Sequence, residues 1–96
     1  MTKANIKLKL IEIIEHYYSQ TYPSNSMPDI SSSKEALIDL LAIDSLMSVE
    51  LTIDILDGFN INDEKIQSIF TDNDKLKYPN YLNIDQVVEK ISTYLN

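Results

Sequence analysis

Apolar residues return every three or four positions from about Lys3 to Tyr18, at Ile6, Leu10, Ile13, Ile14 and Tyr17, with Lys7, Lys9, Glu12, Glu15 and His16 between them. That spacing predicts an amphipathic first helix. Between Ser19 and Ser33 the pattern gives way to Ser, Asn, Thr and Pro, and Pro23 and Pro28 discourage any continuous helix. A loop this long needs anchors, and Tyr22, Met27 and Ile30 are the apolar residues available to tack it down. Lys34 to Leu41 then reads as a short helical turn that directs Leu37, Ile38 and Leu41 inward.

The stretch from about Asp44 to Phe59 predicts a helix of a different kind. On a helical projection Ser48, Leu51, Thr52, Ile55 and Phe59 share one side, while Leu46, Val49, Glu50, Ile53, Leu56 and Asp57 gather on the other. Both sides carry apolar residues, and a small domain cannot bury both. Either a partner covers the second side, or its apolar residues pack under the long loops. Gly58, the only glycine, is expected to ease the helix end. Asn62-Asp63 opens a short third helix to about Ile69, with Ile66 and Ile69 inward. Phe70 to Leu82 intervenes without a helical period. Asn83, with Gln86 three residues on, forms a capping box for a last helix whose stripe is Ile84, Val87, Val88, Ile91 and Leu95. The sum is an all-α single domain over residues 1–96, an antiparallel bundle of three main helices plus one short helix.

Composition narrows what such a bundle can do. The net charge is −7, and all eight basic residues are lysines. Nucleic-acid binding needs concentrated Lys and Arg to displace counterions, so a basic protein is the expected partner instead. Lys7 and Lys9 interrupt the first apolar pattern, which therefore lacks the core of a signal peptide, and no run is long enough to span a membrane. A soluble, cytoplasmic monomer is expected. With no cysteine and only His16 as histidine, a metal site is poorly supplied. Asp72-Asn73-Asp74 lacks the glycine and the terminal glutamate of a calcium loop and reads as a solvated turn.

Chemistry concentrates at Leu41-Ala42-Ile43-Asp44-Ser45-Leu46-Met47-Ser48-Val49-Glu50-Leu51. Asp44 or Ser45 can cap the helix that starts there, since a short side-chain oxygen accepts from first-turn amides. Ser45 has no histidine near it in sequence, no Gly-x-Ser-x-Gly elbow and no glycine-rich phosphate loop, so the chain is not expected to be a hydrolase or any other enzyme.

These residues resemble the attachment site of the acyl carrier proteins, in which an Asp-Ser-Leu tripeptide opens the second helix. Leu41, Val49-Glu50-Leu51, Phe59 and Ile61 extend the match at the family's spacing, over about Ala36 to Ile69 and again from Asn83 to Ile91. The resemblance implies an acyl-carrier-like bundle in which Ser45 is the attachment point of a covalent 4'-phosphopantetheine arm and Asp44 lies beside the phosphate during transfer. It also implies a partner-binding surface of Leu46, Val49, Glu50, Ile53, Asp54, Leu56 and Asp57, facing a phosphopantetheinyl transferase and acyl-loading ligase, synthase or acyltransferase enzymes. The arm would carry an acyl group, and less readily an aminoacyl group, as a thioester.

Several positions depart from the family. Asn62 replaces its usual proline, Ala42 its usual glycine, and Leu56 and Gly58 stand where housekeeping fatty-acid carriers have acids. Phe70 to Leu82 looks like an insertion. These departures imply a specialised carrier for polyketide, nonribosomal peptide or modified-lipid synthesis. The alternative is a helical interaction module that keeps the carrier fold and is never modified.

Overall fold

The computed structural model describes residues 1–63, 66, 68–72 and 80–95. Its elements are α1 (Lys3–Thr21), α2 (Leu37–Leu40), α3 (Ser45–Gly58), β1 (Thr71–Asp72), β2 (Asn80–Tyr81) and α4 (Ile84–Leu95). Helix α1 packs against both α3 and α4. Ion pairs join Lys3 to Glu89 at 2.6 Å and Lys7 to Asp85 at 3.0 Å, so α4 descends as α1 rises. Contacts of Lys9 with Phe59, Ile13 with Gly58 and Tyr17 with Glu50 give α3 the same antiparallel sense against α1.

The core follows the apolar stripes. Ile6, Leu10 and Ile14 of α1 meet Leu51, Ile55 and Phe59 of α3 and Ile84, Val87, Val88 and Ile91 of α4 in one buried cluster. Thr2 caps α1 by accepting from the Asn5 amide. The helix runs past Tyr18 to Thr21, further than its apolar stripe, and in this last turn the Ser19 and Thr21 hydroxyls donate to the carbonyls of His16 and Tyr17. Pro23 follows almost at once. The loop after α1 is tacked down at the expected residues: Ile30 is buried, Met27 packs against the core, and Tyr22 Oη lies 3.5 Å from Ala42 O and 3.6 Å from Met47 Sδ, with one proton to donate to either. Within it, the Ser31 amide and hydroxyl both donate to Asp29, which holds that carboxyl below its ordinary value. Helix α2 is a single turn that buries Leu37, and the Leu37 amide donates to Leu82 O at 2.9 Å.

The expected short helix from Asn62 to Ile69 is not found in its described residues. Ile61 to Asp63, Ile66, Ser68 and Ile69 lie outside helical structure, and Glu64, Lys65 and Gln67 lie outside the described residues. The one short helix that is described is α2. Ile69 and Phe70 are nevertheless fully buried. They are held there by the two polar residues on the core face of α3: the Ile69 amide donates to Thr52 Oγ1 and Ser48 Oγ meets Ser68 Oγ, each at 3.2 Å. Lys90 of α4 closes the other side, its Nζ donating to Ser68 O at 3.2 Å and Thr71 O at 2.6 Å. Among the described residues no buried side-chain nitrogen or oxygen lacks a partner.

The segment read as an insertion starts and ends in a two-residue antiparallel pair, Thr71 with Tyr81 and Asp72 with Asn80, a small addition to a fold whose other described elements are all helices. The aperiodic residues 73–79 lie outside the described residues. The capping box is formed as expected, with Asn83 N donating to Gln86 Oε1 and Gln86 N to Asn83 Oδ1, both at 2.9 Å.

Gly58 has another role than ending the helix through left-handed backbone, for its φ is not positive; Asn60 takes that conformation, at φ 56°. A Cβ at Gly58 would sit 2.6 Å from Ile13 Cδ1, so the glycine leaves room for the tip of that side chain where α3 passes α1. Ala42, in contrast, is left-handed at φ 52°. Such backbone costs an alanine about 1–2 kcal/mol, and glycine loses about 0.5–1 kcal/mol more entropy on folding. Ala42→Gly is therefore expected to raise stability by about 0.5–1 kcal/mol in a urea melt.

Candidate functional site

Asp44 is the N-cap of α3, in extended backbone, and its Oδ1 accepts from the Met47 amide at 2.8 Å. The sequence left the cap open between Asp44 and Ser45; the geometry assigns it to Asp44. Ser45 is thereby the first helical residue, exposed, and its hydroxyl has no hydrogen-bond partner among the described residues. Removing the cap with Asp44→Ala is expected to cost about 1 kcal/mol, measurable as a lower urea midpoint.

The two sides of α3 separate as its projection predicts. Ser48, Leu51, Thr52, Ile55 and Phe59 are all buried. Leu46, Val49 and Ile53 are 69%, 45% and 53% exposed and form a ridge one residue beyond Ser45. Glu50, Asp54 and Asp57 are exposed beside it, and α3 contains no basic residue. Leu56 is the exception. It was assigned to the partner-binding side, yet only 9% of it is exposed and it belongs to the core cluster. The chain reverses at Asn60, the Ile61 amide returns to Leu56 O at 2.9 Å, and Ile61 and Ile66 border the same depression as Leu56. The chain after α3 thus folds back beside this one leucine, while Ile53 at the rim of the same depression stays exposed with the rest of the ridge.

Residues outside α3 complete the surroundings. Tyr22 reaches Met47 from the first loop, and Tyr17 of α1 donates to Glu50 Oε1 at 3.2 Å. Burial, and next the hydrogen bond to Glu50, raise the pKa of Tyr17. The helical stripe marked Tyr17 as a core residue only. Its place at the polar edge of that stripe was the available signal, since a half-buried tyrosine has a hydroxyl to satisfy.

His16 borders a shallow depression with Glu12, Gln20, Asp54 and Asp57. Among the described residues no group of three or more His, Asp or Glu is arranged to hold a metal ion, and no helix is long and apolar enough to cross a membrane. Comparison of the chain with protein-family models, with curated proteins and with solved structures finds no match.

Proposed function

We propose that this chain is a carrier protein of the acyl-carrier type, bearing a 4'-phosphopantetheine arm on Ser45 and serving a dedicated pathway of polyketide, nonribosomal peptide or modified-lipid synthesis. The observation that supports it best is the division of labour at the start of α3. Asp44 takes the capping role, so the exposed Ser45 hydroxyl is left unengaged next to an apolar ridge on which an enzyme can seat itself.

The residues present suit the group. Ser45 Oγ would attack the phosphorus of coenzyme A that carries the pantetheine. The new Oγ–P bond replaces the pyrophosphate P–O bond, adenosine 3',5'-bisphosphate leaves, and the hydroxyl proton passes to a base of the phosphopantetheinyl transferase, which also supplies magnesium. No base of this chain hydrogen-bonds to Ser45 among the described residues, so in this reading the transferase supplies the base. A phosphodiester at the first turn of α3 meets the positive end of the helix. Asp44 stands beside it, where magnesium in the transferase can offset the two negative charges. Once attached, the arm supplies a thiol on which an acyl group can travel as a thioester. Leu46, Val49 and Ile53, flanked by Glu50, Asp54 and Asp57, would seat the transferase and the ligase, synthase or acyltransferase that follow it.

The test is the intact mass of the protein before and after incubation with coenzyme A, magnesium and a broad-specificity transferase. A gain of one phosphopantetheinyl group is expected. No gain with several transferases, from a protein shown to be folded, assigns the ridge to an unmodified interaction module.

A further inference from the structure

The ridge of α3 has one carboxylate that another helix holds in place. Glu50 adjoins Val49 and precedes Ile53 by less than a turn, and Tyr17 Oη donates to its Oε1 at 3.2 Å from α1. The Glu50 carboxylate has no second hydrogen bond among the described residues, and the residue is exposed. Tyr17 is itself well fixed. It packs half-buried against the core, and like any tyrosine it is a donor at neutral pH. A bond this exposed contributes little to folding, whereas it removes rotamers from a side chain that would otherwise be ordered only when a partner arrives.

The charge around the ridge says what that partner carries. Three carboxylates and no basic residue lie on α3, in a chain of net charge −7. A neighbouring enzyme that places an apolar side chain on Leu46, Val49 and Ile53 finds its complementary charge in a lysine or arginine.

We propose that Tyr17 is a positioning residue for docking: it presets Glu50 as the acceptor for a basic side chain of the enzyme that acts at Ser45, and so makes α1 part of the docking site. This rests on the carrier reading, because the partner is defined as an enzyme that reaches Ser45. Orientation of the carboxylate lowers the ordering cost of the encounter and leaves the chemistry at Ser45 untouched, so the effect belongs in KM and not in kcat.

The probe is a broad-specificity phosphopantetheinyl transferase with coenzyme A. Initial loading rates are measured against carrier concentration for wild type, Tyr17→Phe, Glu50→Gln and the double variant. Tyr17→Phe keeps the ring and is expected to raise KM about threefold with kcat unchanged, and Glu50→Gln to raise it about tenfold. The double variant should match Glu50→Gln alone, since Tyr17 acts only through that carboxylate. Thermal melts control for folding. Wild-type loading at Ser45 with an unaltered KM for Tyr17→Phe overturns the positioning role and leaves the carrier reading standing, as does full additivity in the double variant. Absence of loading in wild type overturns both.

Discussion

Ser45→Ala is expected to abolish the gain of a phosphopantetheinyl group completely, while the melting temperature stays within about 4 °C of wild type. The two halves of this expectation come from one piece of geometry. Phosphodiester formation needs the hydroxyl oxygen, and alanine offers none. The stability of α3 does not need it, because Asp44 Oδ1 holds the Met47 amide and Ser45 is exposed. Alanine is also a slightly better helix former than serine, so the change in folding free energy stays within about 0.5 kcal/mol. Intact mass and a thermal melt on the same preparation check both. Modification of the alanine variant would move the attachment point elsewhere, and a large drop in melting temperature would show that Ser45 supports the helix in some way beyond its exposed position.

Phe70→Ala is expected to be the most damaging single truncation, at about 3–5 kcal/mol. Phe70 is the largest of the fully buried side chains. Its neighbourhood has little freedom to collapse into the space left behind: the Phe70 amide donates to Ser68 Oγ at 3.2 Å, its carbonyl accepts from Leu82 N at 2.9 Å, and Lys90 grips the carbonyls on either side of it. A backbone so tied leaves a cavity open, and cavity volume sets the cost. A domain of this size is stable by only about 5–15 kcal/mol in all, so the loss should lower the melting temperature by more than about 12 °C. A loss below about 1 kcal/mol in a urea melt would contradict the burial of this ring.

The helical frame was legible because apolar spacing is a direct image of burial. Ile6, Leu10 and Ile14, the core side of α3, and the stripe from Ile84 to Ile91 were all marked by period alone, and the pair Asn83 and Gln86 announced its capping box. The bare ridge was marked by the same logic, as apolar residues in excess of what the core can take.

What escaped notice depends on contacts between distant residues. Leu56 sits on the outer arc of its helix, and only the chain reversal at Asn60 brings a cover over it. Gly58 suggested a helix stop, whereas its task is set by Ile13 on another helix. The pairing of Thr71 with Tyr81 has no local signature at two residues' length, and Tyr17 shows its bond to Glu50 only once α1 and α3 are side by side.

That strand pair has a consequence for how the protein can be altered. Cross-strand bonding at Thr71 and Tyr81 fastens the two ends of the intervening chain to each other, and Lys90 and the Leu82 carbonyl, which accepts from the Leu37 amide, fasten those ends to the helices. Length between fastened ends is nearly free of thermodynamic consequence, since doubling it adds only about 0.6 kcal/mol of closure entropy. The segment is thus a natural graft point, a place where an epitope or a fluorophore-binding tag can be spliced in and read out while the helices that frame Ser45 keep their packing.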